Sequence, residues 1–147
     1  MNYLIIDIGN TNIDFVNFNK FTNKFFNQFT VDTSDILKGR LDTVNKKIKK
    51  NFYKGAMCSS VVPKAFNKLK KLLKGKNINL NEVKDRNINL PIKIKINKPK
   101  KVGSDRVVNS IAAFKIYKKN SIIIDFGTAT TFDVIIKDTY VGGMITP

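Results

Sequence analysis

The sequence predicts an α/β fold in which two similar hairpins each begin with a buried strand that ends in aspartate. The first apolar run leads to Asp-Ile-Gly-Asn-Thr at residues 7–11, and a later one leads to Asp-Phe-Gly-Thr-Ala at residues 125–129. Between them, strand-like apolar runs alternate with segments of helical spacing. Strands mixed with helices, followed by a restart of the first pattern, indicate one α/β unit and the opening strands of a second.

The first part of the chain is expected to form three strands and a helix. Residues 3–7 and 13–18 flank a turn, and the aromatic-rich residues 24–31 follow as a third strand. Ser34 is a suitable N-cap for the helix. The apolar residues of this helix recur at spacings of four, three and four, at Leu37, Leu41, Val44 and Ile48.

The middle of the chain alternates between strands and a helix. A strand over residues 52–62 leads to Pro63, which suits the first turn of a helix that ends at Gly75. The apolar face of that helix contains Phe66, Leu69, Leu72 and Leu73. A short strand at 78–83, a polar loop at 84–89 and an alternating strand at Ile92, Ile94 and Ile96 follow.

The last third is expected to contain one helix and a final strand pair. The helix starts at Ser104 or Asp105, runs to about Tyr117, and buries Val107, Val108, Ile111, Ala112 and Phe114. Strands at 122–125 and 131–136 then repeat the opening hairpin, and Gly142-Gly143 follow them. We therefore expect a first half over residues 1–118 and the start of a second half over residues 119–147.

The composition limits the chemistry. A chain of 147 residues that is 42% hydrophobic can bury a core. The absence of histidine excludes Ser-His and Cys-His nucleophiles, and the single Cys58 excludes an internal disulfide and a cysteine-rich zinc site. We interpret Cys58 as a small buried hydrophobe. Any chemistry must therefore rest on carboxylates, hydroxyls and cations.

The net charge of +16 comes mostly from lysines scattered along the whole chain. We interpret them as a solvated surface that attracts anionic substrates, and we expect no nucleic-acid partner. The sequence begins with an apolar run without a basic leader, and it has no apolar stretch of about 18 residues. We therefore expect a cytoplasmic protein with no membrane partner.

The two hairpins are suited to binding phosphates, although neither a GxxxxGK[ST] nor a GxGxxG motif occurs. Asp7 and Asp125 would repel a nucleotide triphosphate unless each held a cation, so a metal ion is implied. Gly9 and Gly127 let the backbone approach a ligand. Side chains that can donate hydrogen bonds are those of Asn10, Thr11 and Thr128. For either copy alone, a structural turn is the alternative interpretation.

A third candidate site is Gly-Ser-Asp-Arg at residues 103–106, where a helix is expected to begin. Free N–H groups at a helix start favour a carboxylate ligand, and Arg106 can bind one bidentately. Asp105 has two possible roles. It, or Ser104, is an N-cap, or Asp105 accepts a proton from a hydroxyl that attacks the γ-phosphate. The residues alone do not decide between them.

These motifs resemble those of the type III pantothenate kinase family, which belongs to the actin-like, sugar-kinase-like superfamily. The resemblance is carried by five segments in the family's order and spacing, at residues 7–12, 59–63, 103–109, 125–133 and 142–147.

The resemblance implies an actin-like (ribonuclease H-like) α/β fold with a mixed sheet. It also implies ATP-dependent phosphorylation of pantothenate to 4'-phosphopantothenate, the first step of coenzyme A biosynthesis. The family enzymes are cytoplasmic homodimers that need a monovalent cation, potassium or ammonium, with magnesium accompanying ATP.

The resemblance also assigns site residues. Asp105 is implied to be the proton acceptor, and Asp125 the ligand of the monovalent cation. Pantothenate is implied to contact Gly103, Ser104, Asp105 and Arg106. ATP is implied to contact Asp7, Ile8, Gly9, Asn10, Thr11, Asn12, Ile13, Asp14 and Thr128.

Two differences from the family leave alternatives open. Ile96 stands where the family commonly has tyrosine, and family members continue past the Gly-Gly-x-Ile-x-Pro segment into a second half that this sequence does not include. The alternatives are a non-enzymatic regulatory or nucleic-acid-binding relative of the kinase, and an inactive fragment.

Overall fold

The computed structural model describes all residues from 1 to 147. The chain forms two compact units, Met1–Glu82 and Val83–Pro147. Each is described by itself. The predicted division into a half over residues 1–118 and a second half over residues 119–147 stays a prediction.

The first unit is built on a five-stranded mixed sheet in the order β3-β2-β1-β4-β5. Strands β1 (Asn2–Ile8), β2 (Asn12–Asn19) and β3 (Lys24–Asp32) form an antiparallel meander. Strands β4 (Gly55–Ser60) and β5 (Leu80–Glu82) continue the sheet in parallel on the other side of β1. The three predicted opening strands are confirmed, and β4 and β5 are shorter than predicted.

The core of the first unit explains why β1 lies at the centre of the sheet. Its alternate residues Leu4, Ile6 and Ile8 are at most 1% exposed, as the period of two of a strand requires. The same core contains Cys58 on β4, which is 1% exposed and confirms that this cysteine is a small buried hydrophobe.

The predicted helix from Ser34 to Ile48 is wrong, because the segment forms two short helices. They are α1 (Thr33–Leu37) and α2 (Asp42–Lys47), and Asp32 rather than Ser34 is the N-cap of α1. Gly39 lies between them with φ +83°, a left-handed conformation that ends a helix. Leu37 is consequently 40% exposed and does not belong to the predicted apolar stripe.

The helix predicted to start at Pro63 is confirmed as α3 (Pro63–Gly75). Pro63 occupies the first turn, where its missing N–H costs no hydrogen bond. Leu69 and Leu73, one turn apart, are fully buried in the core of the first unit, and Phe66 and Leu72 pack against that core. This helix therefore covers the sheet with one apolar face, as its spacing predicts.

The second unit contains a four-stranded sheet in the order β6-β9-β8-β7 and one long helix. Helix α4 (Ser104–Tyr117) precedes the antiparallel strands β7 (Ser121–Phe126), β8 (Thr130–Ile136) and β9 (Thr139–Thr146). The predicted strand around Ile94 is reduced to the two residues of β6 (Lys93–Ile94), which pair in parallel with β9.

Two predictions in this unit need correction. Residues 139–146 form β9, which the sequence-based assignment missed because Gly142-Gly143 disfavours a strand interior. The predicted buried face of α4 is also partly wrong. Val107 is buried, but Val108 and Ala112 are exposed, and Ser110 and Ala113 take their places in the interior.

No helix in the structure is long and apolar enough to cross a membrane.

Candidate functional site

The first Asp-x-Gly hairpin is held by hydrogen bonds around Gly9. Asp7 pairs with Asp14 across β1 and β2, and the Gly9 N–H donates to the Asn12 carbonyl at 2.9 Å. A Cβ atom on Gly9 would lie 3.0 Å from that same carbonyl oxygen, so the tight turn favours glycine. The Ser59 hydroxyl donates to the Asp7 carboxylate and fixes it from the neighbouring strand β4.

The side chains of this hairpin divide between the core and the solvent. Ile8 and Ile13 are buried, so only their backbone can reach a ligand. Asp14 accepts a hydrogen bond from the Thr30 hydroxyl. The exposed residues are Asp7, Asn10, Thr11 and Asn12.

Thr33 anchors this hairpin, and sequence reasoning missed it. Its hydroxyl donates to the Gly9 carbonyl at 2.7 Å, and its N–H donates to the Thr11 carbonyl at 2.8 Å. Thr33 was overlooked because the next residue, Ser34, was assigned as the helix cap. The first residue of α1 thus stabilises the turn between β1 and β2 through these two hydrogen bonds.

The second hairpin has the same local organisation within the second unit. Asp125 lies on β7 opposite Thr131 of β8, and the Gly127 N–H donates to the Ala129 carbonyl at 3.3 Å. The Asn109 side-chain amide donates to Asp125 Oδ2 at 3.0 Å. Thr128 is exposed at the tip of the turn. Both hairpins therefore end a strand with an exposed carboxylate beside a glycine turn.

The start of α4 brings together the four residues of the third candidate site. Gly103 is the N-cap, and no side chain caps the helix, so the alternative in which Ser104 or Asp105 is the N-cap is wrong. Asp105 Oδ1 instead accepts the Arg106 backbone N–H at 2.8 Å. Ser104 is 2% exposed. Asp105 stands in the first turn of α4.

Arg106 is held by a buried carboxylate that sequence reasoning did not identify. Its Nε lies 2.7 Å from Asp133 Oδ1, its Nη2 lies 2.7 Å from the same oxygen, and Nη2 also donates to the Phe132 carbonyl at 3.2 Å. The Tyr140 hydroxyl donates to Asp133 Oδ1 at 2.7 Å. We call Arg106, Asp133 and Tyr140 the arginine cluster.

The arginine cluster changes the pKa values of its members. Burial of the guanidinium opposes its charge, but the hydrogen bond and the negative charge of Asp133 together outweigh this and raise the pKa of Arg106. Burial, aided by the hydrogen bond to Asp133 and by its charge, raises the pKa of Tyr140 to about 12. Arg106 therefore stays charged and Tyr140 stays a hydrogen-bond donor at neutral pH.

A groove of about 470 Å³ lies next to the arginine cluster in the second unit. Arg106, Lys98 and Lys101 line it, and so do Tyr140 and Ile96. Three cationic side chains around one groove favour an anionic ligand such as a carboxylate.

The residues of the structure form no group of three or more His, Cys, Asp or Glu side chains that could hold a metal ion.

The fold is that of the actin-like ATPases and sugar kinases. A ROK family glucokinase from Streptomyces griseus, solved with glucose and AMPPNP, has a TM-score of 0.54 at 11% identity, covering 99% of this chain and 48% of the glucokinase.

The sequence matches are more specific than the fold. A family model for type III pantothenate kinase matches residues 3–147, and the chain belongs to that family. It is 49% identical over 108 residues to a type III pantothenate kinase of Pelagibacter ubique, covering 73% of this chain and 41% of the relative. It is 40% identical to one of Desulforapulum autotrophicum, covering 98% of this chain and 58% of the relative. The chain thus spans about half the length of these relatives.

Proposed function

We propose that this chain phosphorylates pantothenate with ATP and yields 4'-phosphopantothenate, the first step of coenzyme A biosynthesis. The observation that carries the proposal is the start of α4, where Asp105 and Arg106 are adjacent and Arg106 lines a groove with two lysines. A proton acceptor beside a site for a carboxylate is what pantothenate requires, because it has a primary hydroxyl and a carboxylate. Family membership supports the same reaction.

Asp105 would act as the general base in this reaction. Its carboxylate accepts a hydrogen bond only from the adjacent backbone N–H, so it keeps acceptor capacity for a substrate hydroxyl. Removing the proton from that hydroxyl as it attacks the γ-phosphate is a contribution of about 10²- to 10⁴-fold to the rate. Gly103, Ser104 and Arg106 would hold pantothenate around it.

The two hairpins would hold ATP. In the first hairpin, the exposed side chains of Asn10, Thr11 and Asn12 and the backbone of Ile8, Gly9 and Ile13 are suited to phosphate oxygens, with Asp7 and Asp14 interacting through a cation or water. In the second hairpin, the Thr128 hydroxyl would contribute. Both glycine turns keep the backbone close to the ligand.

The cation requirement is proposed for Asp125. This carboxylate is exposed, and Asn109 occupies its Oδ2, which leaves Oδ1 for an ion. A single carboxylate can hold a potassium or ammonium ion whose other ligands would be carbonyl and phosphate oxygens. Magnesium would then arrive with ATP and screen its phosphate charge.

We also propose that the enzyme is a cytoplasmic homodimer, as the family resemblance implies. Family membership supports the cytoplasmic part of this proposal, because pantothenate and ATP are small water-soluble substrates, and the homodimer rests on the resemblance alone.

The role of Asp105 is tested by Asp105→Asn. This change keeps the size of the side chain and removes its basicity, so pantothenate-dependent ADP formation should fall about 10²- to 10⁴-fold. ATP affinity, measured by calorimetry, should stay within about twofold.

The matched control for this change is Asp42→Asn, which alters a carboxylate in the first turn of α2, outside the proposed site. It should leave both quantities unchanged. Unchanged turnover in Asp105→Asn, or loss of its ATP binding, would contradict the assigned role.

A further inference from the structure

Asp133 is a fully buried carboxylate on β8 that the proposed reaction does not use. It is 0% exposed, and its Oδ1 accepts hydrogen bonds from Arg106 and Tyr140. Removing both charges of such a pair from water is costly, so a buried ion pair is weak support for folding stability alone. Its position next to the groove calls for a second role.

The other oxygen of this carboxylate strengthens that conclusion. Asp133 Oδ2 is buried and has no hydrogen-bond partner in the structure. Buried polar atoms are nearly always satisfied, so an unsatisfied carboxylate oxygen calls for an explanation, of which a functional role is one. The carboxylate is thus oriented so that Oδ1 binds Arg106 and Tyr140 while Oδ2 is left without a hydrogen bond.

The same interaction restricts the guanidinium of Arg106. Asp133 and the Phe132 carbonyl engage Nε and Nη2, which leaves Nη1 for a ligand. The arginine side chain is 14% exposed, so it meets solvent through a small part of its surface. An arginine fixed before binding loses less conformational freedom when it binds a carboxylate.

We propose that Asp133 is a positioning residue that holds Arg106 in the orientation needed to bind the carboxylate of pantothenate. Asp133 acts through Arg106 and does not touch the substrate. This inference rests on the proposed function for its substrate, but the geometry of the arginine cluster can be tested without any activity.

The first test observes Arg106 directly by NMR of arginine Nε–H groups. The chain has only three arginines, Arg40, Arg86 and Arg106, and the other two are exposed, so the protected signal identifies Arg106. Asp133→Asn should move this signal and speed its exchange with water at least tenfold, because the charge-assisted hydrogen bond is lost. An unchanged signal would overturn the proposal.

The matched control is Asp138→Asn. Asp138 lies in the turn after β8, has a side chain that is 43% exposed, and pairs with Lys93 at 3.1 Å rather than with a member of the arginine cluster. Its replacement should leave the Arg106 signal and all kinetic constants unchanged.

The second test separates positioning from structure by kinetics. Asp133→Asn should raise KM for pantothenate about tenfold while kcat and KM for ATP change less than about twofold, as expected when ground-state binding is lost. Equal losses in both substrates would indicate a merely structural role and overturn the proposal. If the parent chain binds no pantothenate, the proposed function fails, and the NMR result still decides whether Asp133 fixes Arg106.

A folding defect in Asp133→Asn would not remove the test, because Tyr140→Phe acts on the same carboxylate. It keeps the ion pair and removes one hydrogen bond to Asp133 Oδ1. A twofold to fourfold rise in KM for pantothenate with faster exchange at Arg106 is expected. No change in either would contradict the positioning role.

Discussion

Tyr140 is the residue of the arginine cluster whose ionisation makes folding stability depend on pH. Its pKa is raised from 10 to about 12 in the folded chain, mainly by burial and then by Asp133. As the pH rises, the unfolded chain therefore loses the Tyr140 hydroxyl proton before the folded chain does. The contribution of this proton to the free energy of unfolding is fully present below pH 10 and is lost between pH 10 and 12. The cluster should be intact at all physiological pH values.

Tyr140→Phe tests this linkage. At neutral pH the change should lower the free energy of unfolding by about 1.5–3 kcal/mol, because a hydrogen bond to a charged group is lost. The difference between parent and variant should shrink as the pH approaches 12, since the variant has no proton to lose here. Urea unfolding followed by circular dichroism at several pH values measures the stability difference and its dependence on pH. A difference that is independent of pH would contradict the assignment.

At the level of residues, the sequence points to the candidate site residues themselves but not to the buried residue that holds one of them. Asp105, Arg106 and Asp125 were identified because charged residues beside glycines at strand and helix ends are conspicuous. Asp133 ends the segment 125–133, and no role for it is apparent from the sequence. Its signal was its phase, since it falls two residues before the buried Ile135 on one face of β8. A carboxylate on a buried face needs a cationic partner, and which one depends on the tertiary fold.

Among the elements, β9 was not predicted from the sequence, yet it packs directly against Arg106 of the candidate site. Gly143 on β9 is opposite Asp133, and a Cβ atom there would lie 1.9 Å from the Phe132 carbonyl oxygen and 2.5 Å from Arg106 Nη2. Gly143, one of the two glycines that disfavour a strand here, therefore lets the guanidinium pack against β9. Local propensity was overridden by tertiary packing.

Gly143→Ala is predicted to damage both fold and site. The added methyl must push aside the backbone of β8 and the Arg106 side chain, at a cost on the order of 3 kcal/mol in the free energy of unfolding. Thermal or urea unfolding measures the effect.

Gly75→Ala is the matched control, because nothing lies within 4 Å of a Cβ atom at the end of α3. It should leave stability unchanged or raise it slightly. Equal stability of the two variants would show that β9 does not approach Arg106 as described.

The helices show where periodicity is a sufficient guide and where it is not. Helix α3 was predicted with both ends, because Pro63, Gly75 and a regular apolar spacing agree with one another. The segment before it carried a similar spacing, but Gly39 takes a left-handed conformation and divides it into α1 and α2. Spacing alone does not reveal whether a glycine continues a helix or ends it.

Strand β7 differs from β1 in the first unit although the two begin equivalent hairpins. β1 has neighbours on both sides, β2 and β4, whereas β7 pairs only with β8. Ile122, Ile124 and Phe126 alternate along β7 and so share one face of the sheet, and they are 70%, 49% and 82% exposed. The apolar run that predicted a buried strand thus gave the correct element with the wrong burial.

For the molecule as a whole, family membership is established and the activity of this chain is a proposal. The chain carries both hairpins and the Gly-Ser-Asp-Arg segment, and it matches 41% and 58% of the length of two relatives. Its charge of +16 favours encounters with anionic ligands, an effect that weakens as salt is added.

The most direct test of the central claim is to look for 4'-phosphopantothenate by mass spectrometry after incubating the folded chain with pantothenate, ATP and magnesium. Parallel reactions contain potassium, ammonium or sodium as the monovalent cation. We predict product in equal amount to ADP, formed faster with potassium or ammonium than with sodium and only when pantothenate is present. ADP without phosphorylated pantothenate, or no product with any cation from a cooperatively folded preparation, would contradict the account.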